Sequence, residues 1–131
     1  MEKERCFVVP HDFTDTAQNA LLQAVEIAKP SSSKVHVLHV VSKENEVDKA
    51  NKKLDEIRSS SSYRNIEKHI KSGSIFNVIG EFAEEKSATA IIMGTHGAKG
   101  MQKIFGSFAM KVIISTSIPV SYTHLTLPTK A

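Results

Sequence analysis

Short apolar runs alternate with helix-periodic segments along most of this chain, and no other feature constrains its fold as strongly. Cys6–Val9 is too short for a helix and ends at Pro10, so it reads as a strand buried on both faces. From Thr14 the period changes: Ala17, Leu21, Ala24, Val25 and Ala28 recur at helical spacing, with Thr14 as N-cap and Asp15 in the first turn. Lys34–Val41 is rich in β-branched residues and reads as a second strand. Residues 43–58 place Val47, Ala50, Leu54 and Ile57 on one helical face, and the serines from 59 to 62 read as the loop that closes this helix.

Ile66–Lys71 alternates apolar with polar, as a strand at a sheet edge does. Gly73 and Ser74 introduce a third helix with Ile75, Val78, Ile79, Phe82 and Ala83 as its stripe. Ala90–Met93 is another fully apolar strand, expected to end at Gly94. Ser107 then caps a fourth helix with Ala109, Val112, Ile113 and Thr116 inward, and Ile118, Pro119 and Val120 begin a fifth strand. Repeated strand–helix alternation implies parallel strands joined by right-handed crossovers. The expected fold is therefore α/β: one doubly wound, Rossmann-like, five-stranded parallel sheet of order 3-2-1-4-5 with helices on both faces. Its apolar first and fourth strands are central.

Several function classes drop out. Seventeen Lys and Arg against fourteen Asp and Glu leave a net charge of only +3 in 131 residues. Without a dense basic cluster, nucleic acid is not an expected partner. No apolar run approaches the roughly 20 residues that cross a bilayer, so no membrane association is expected. Glu, Lys, Glu and Arg follow Met1 rather than an apolar leader, and the single cysteine, Cys6, cannot form an internal disulfide. The expected location is the cytoplasm, and Cys6 reads as a buried, inert thiol. Walker A, G-x-G-x-x-G, C-x-x-C and G-x-S-x-G patterns are all missing.

In an open parallel sheet, ligands bind beyond the strands' carboxyl ends where the strand order reverses, here between strands one and four. Two loops meet there. One carries Pro10, His11 and Asp12; the other runs from Gly94 to Gly106. Glycines let backbone N–H groups approach an anion, and Gly106-Ser107 at a helix start adds further donors. Asp12 repels phosphate and so suits the sugar or base end of a nucleotide, or else caps its own loop. His36 and His39 lie three apart on a strand and point to opposite faces, while His11, His69, His96 and His124 sit on separate elements. On that ground no metal site made by the protein alone is expected.

Pro10-His11-Asp12-Phe13-Thr14 after the first strand, and Met93-Gly94-Thr95-His96-Gly97 through Gly106-Ser107, resemble the universal stress proteins over residues 5 to about 120. The resemblance implies an adenine-nucleotide-binding, stress-response regulator without dedicated catalysis. Its cofactor would be ATP, with Mg²⁺ or Mn²⁺ carried in by the nucleotide. It implies an adenosine end at Pro10, His11, Asp12 and Val40. The implied phosphate end is Met93, Gly94, His96, Gly97, Gly106, Ser107 and Phe108. A slow ATP hydrolase using the same pocket, with His96 or Asp12 positioning water, and a nucleotide-free dimerisation protein are the alternatives. The likeness also implies a homodimer through the fifth-strand edge. Residues 1–120 are expected to form the nucleotide-binding domain. Residues 121–131 depart from the family pattern and read as an adapter- or vector-derived tail that completes or extends the last strand.

Overall fold

The computed structural model describes residues 5–95 and 110–124. In chain order these form β1 (Cys6–Pro10), α1 (Asp15–Ala28), β2 (Lys34–Val41), α2 (Val47–Ser60), β3 (Ile66–Ser72), α3 (Ile75–Glu85), β4 (Ala90–Thr95), α4 (Met110–Ser115) and β5 (Val120–His124). The strands form one five-stranded sheet in the order β3-β2-β1-β4-β5, and every pairing is parallel. The expected Rossmann-like α/β architecture is thus the observed one.

Alternation along β1 builds two cores. Phe7 and Val9 pack with Leu21 and Val25 of α1 and Leu54 of α2 on one face. Cys6 and Val8 pack with Ile79 and Phe82 of α3 and Val112 of α4 on the other. Val8, Val9, Val35, Ile91 and Ile79 are fully buried, each contributing roughly 1.5–3 kcal/mol through removal of apolar surface from water. Strands with helices on both sides need this continuous apolar character, which is why β1 and β4 are central. Among the described residues, no helix is long and apolar enough to cross a membrane.

Four local expectations need correction. α2 continues through Ser59 and Ser60, and the Ser60 hydroxyl bonds back to the Ile57 carbonyl at 2.9 Å; a hydroxyl that satisfies a last-turn carbonyl suits a helix end as well as a loop. β4 does not stop at Gly94 but runs to Thr95, because β5 pairs with both residues. On α4, Val112 is buried but Ile113 is 42% exposed, since adjacent residues of a helix point about 100° apart. β5 begins at Val120 rather than Ile118. Ahead of it, Glu84 accepts hydrogen bonds from Ser117 N at 2.9 Å and Thr116 Oγ1 at 3.0 Å, which hold its carboxyl below the usual range. Four of the five β5 residues, Ser121–His124, come from the segment read as a tail. Ala109 and residues 125–131 lie outside the described residues.

Candidate functional site

At the carboxyl ends of β1 and β4 the sheet opens into a cleft of about 140 Å³. β1 and its following loop supply Pro10, His11 and Asp12; β2 supplies Leu38, His39 and Val40; β4 supplies Met93 and Gly94. The first turn of α1 closes one side with Thr16 and Ala17, and Ile75 and Ile79 of α3 close the other. Pro10, His11, Asp12, Val40, Met93 and Gly94 are therefore brought together in one place. His96, Gly97, Gly106, Ser107 and Phe108 lie outside the described residues.

The β1–α1 loop is shaped by hydrogen bonds that fix its side chains. His11 is buried. Its Nδ1 accepts the Phe13 amide at 3.0 Å. Nε2 must then carry the proton, donating it to Gln18 Oε1 at 3.0 Å. Burial lowers the pKa of this imidazole, so it stays neutral with both nitrogens engaged. His11 lines the cleft, but its ring is a brace for the loop and is not free to act as a base or to contact phosphate. The brace continues to β2, where His39 Nδ1 donates to the His11 carbonyl at 2.8 Å.

Asp12 is exposed. Its Oδ1 accepts from Thr14 Oγ1 at 2.6 Å and Thr14 N at 3.2 Å, an Asx turn that sets up the N-cap. Thr14 Oγ1 in turn accepts from Ala17 N at 3.2 Å. The capping role considered for Asp12 is thus real, yet it occupies only one oxygen; among the described residues Oδ2 has no hydrogen-bond partner. Between them Phe13 adopts φ +67°, a left-handed conformation that costs a non-glycine residue of order 1 kcal/mol or more. Its ring stacks at 4.3 Å on His39, and Lys53 lies 5.0 Å from its centroid. This packing holds the turn that aims Asp12 at the cleft.

Gly94 also has a role that its loop context did not indicate. A Cβ there would lie 2.3 Å from the Thr16 carbonyl oxygen. Only glycine lets the first turn of α1 close down on β4. The cleft thus depends on a backbone-to-backbone contact at its mouth.

The universal stress protein family profile matches residues 5–123. The chain belongs to the universal stress protein family. It is similar to a universal stress protein, MJ0531, of Methanocaldococcus jannaschii, at 29% identity over 86% of this chain and 78% of that one. Among solved structures, universal stress protein UspA from Lactobacillus plantarum superimposes with a TM-score of 0.75 at 20% identity, covering 93% of this chain and 99% of that one. The universal stress protein from Archaeoglobus fulgidus, solved in complex with dAMP, has a TM-score of 0.71 at 24% identity, covering 93% and 98%. At these identities the structures speak for the fold.

Motif reading missed Gln18, His39, Phe13, Ile75 and Ile79 as parts of the site. Ile75 and Ile79 carried a signal, since they stand at the start of the helix after β3, but it was read only as core. For the left-handed Phe13 there was no signal, because Phe is not a residue type that favours φ > 0.

Proposed function

We propose that this universal stress protein is a regulatory, non-catalytic binder of an adenine nucleotide, ATP in particular, with Mg²⁺ or Mn²⁺ entering on the nucleotide. One observation carries this reading: the cleft combines apolar walls of Val40, Ile75, Ile79 and Met93 with an exposed Asp12 carboxylate at its rim. A flat purine suits the walls, and the open Asp12 oxygen suits a ribose hydroxyl or an exocyclic amine. Phosphates would extend from Gly94, and the family resemblance assigns their further contacts to His96, Gly97, Gly106, Ser107 and Phe108. The dAMP complex of the similarly folded Archaeoglobus protein supports the ligand class. The engaged, neutral His11 is not available as a hydrolytic base, because a buried imidazole with both nitrogens in use has no site for a water proton; a hydrolase would have to position water with His96 or Asp12.

A cytoplasmic location belongs to the same reading, as does a homodimer across β5. β5 ends the sheet, and an unpaired strand edge favours pairing with a second copy. If Ser121–Ala131 is an appended tail, restoring apolar strand residues after Val120 tightens that dimer in sedimentation velocity; equal affinity in both chains argues against a β5 interface.

The binding test is a nucleotide-dependent thermal shift on the full chain and on Asp12→Ala. ATP with Mg²⁺ at about 100 times its dissociation constant is expected to add roughly 2.7 kcal/mol of stability. Asp12→Ala is expected to weaken ATP and adenosine alike. Loss of ATP binding with adenosine binding intact would move Asp12 to the phosphate end, and steady phosphate release would favour the hydrolase.

A further inference from the structure

Two histidines expected to lie apart meet across the sheet. In the parallel register of β2 and β3, His36 stands opposite Glu67 and Leu38 opposite His69. Glu67 and His69 are two residues apart and so share a face of β3, the same face to which His36 and Leu38 point from β2. His36 Nδ1 lies 2.9 Å from His69 Nε2. Glu67 Oε1 lies 3.5 Å from the first nitrogen and 3.9 Å from the second. Strand separation in sequence gave no hint of this, because only register brings residues 33 positions apart to hydrogen-bond distance.

The three separations resemble the edges of a coordination polyhedron. Zinc binds imidazole nitrogen and carboxylate oxygen at roughly 2.0–2.2 Å, so neighbouring ligands of a tetrahedral ion stand about 3.3–3.5 Å apart. Opening the nitrogen pair and closing the carboxylate by a few tenths of an ångström each would reach those separations, with the two rings turning from facing each other toward a common ion. Packing against an aromatic ring also confines the two imidazoles. Phe82 meets the His69 ring at 4.7 Å and the His36 ring edge-on at 5.8 Å. The His36 side chain is 6% exposed and that of His69 17%, whereas Glu67 is half exposed. Two fixed nitrogens thus sit beneath a carboxylate that can swing in from solvent, giving an entry path.

We propose that His36, His69 and Glu67 form a zinc-binding site of two imidazoles and one carboxylate on the β2–β3 face, with the fourth coordination position open to water. Two neutral imidazoles and a carboxylate match the donor preference of this borderline ion. One ring donates its proton to the other in the metal-free protein, so binding requires that ring to change tautomer, its proton moving to the nitrogen that faces away. The surroundings set the affinity. Lys34 Nζ lies 3.5 Å from the same Glu67 oxygen, and Lys71 and Lys86 lie over the Phe82 ring at 5.6 and 5.5 Å. These cations oppose a dication, and Lys34 competes with it directly for Glu67.

The test is titration of the untagged full-length chain with Zn²⁺ against a chromophoric chelator, with Co²⁺ as the spectroscopic probe. One equivalent of metal per chain is expected, with the intense visible absorption of four-coordinate cobalt. His69→Gln is expected to weaken binding by more than the roughly 10- to 100-fold that loss of an outer partner costs. Glu67→Gln, at a half-exposed position that tolerates change, is expected to weaken it about tenfold or more, and Lys34→Gln to tighten it. Should His69→Gln fail to fold, the Glu67 and Lys34 variants decide alone through their opposite signs. Binding that survives both Glu67→Gln and His69→Gln, the pale spectrum of six-coordinate cobalt, or no stoichiometric binding would overturn the proposal.

Discussion

Replacing Gly94 with alanine separates a packing role from a ligand role at the mouth of the cleft. The added Cβ would stand 2.3 Å from the Thr16 carbonyl oxygen, 2.7 Å from Thr16 Cγ2 and 2.9 Å from the carbonyl carbon. Ordinary contact begins near 3.4 Å, so the gap must open by about 1 Å. The obstacle is backbone, so no side chain can rotate out of the way. Thr16 lies in the first turn of α1, whose residues Ala17, Ala20, Leu21, Ala24, Val25 and Ala28 are buried against the sheet. Lifting that turn is expected to cost toward the upper end of the roughly 1–3 kcal/mol typical of overpacking. With a urea slope of about 1–3 kcal/mol per molar, the unfolding midpoint should fall by about 1 M or more at unchanged slope. A glycine needed only to admit phosphate makes a different forecast: Ala keeps the N–H, so ligand-free stability would not change. A ligand-free Gly94→Ala within about 0.5 kcal/mol of the parent would refute the close-approach reasoning.

Gly80→Ala should destabilise as well, despite alanine's helix-propensity advantage of about 1 kcal/mol, because its Cβ would meet the Ser115 carbonyl oxygen at 2.8 Å and Thr116 Cβ at 3.1 Å; a stabilised variant in urea unfolding would show that α4 yields readily. Acid should destabilise the metal-free fold through its buried histidines. Burial lowers the pKa of His36 to about 4 and also lowers those of His11 and His69. Between the unfolded pKa near 6.5 and the folded values, the unfolded chain binds more protons. Their stability contribution is therefore full above about pH 7 and lost as pH falls, on the order of 3 kcal/mol from His36 alone; chelator-treated protein whose unfolding free energy is flat or rises from pH 7 to 4.5 would contradict this.

The layered fold was legible because its signals are local. Cys6–Val9 and Ala90–Met93 have no polar face to spare, and a strand without one belongs at the centre of a sheet covered on both sides. Alternation at Ile66–Lys71 likewise marks a strand at the edge, as β3 is. The position of the cleft followed from topology alone. What escaped were properties that arise between elements. Register placed His36 beside His69, and no periodicity in either strand encodes it. Gly94 reads as a loop glycine, yet its constraint comes from Thr16, nearly eighty positions earlier in the chain. His11 looked like a chemical group at a ligand site. Its two nitrogens are spent on Phe13 and Gln18, a pairing that needs the folded β1–α1 turn to exist.

The proposal that this cleft binds a nucleotide is tested most directly by following backbone amide resonances of the full chain during titration with ATP and Mg²⁺. Saturable shifts are expected at His11, Asp12, Val40 and Met93, with adenosine alone reproducing those at Asp12 and Val40. A saturating nucleotide that leaves these four amides unmoved, or shifts only amides remote from the carboxyl ends of β1 and β4, would contradict the assignment of the cleft as the adenine-nucleotide site.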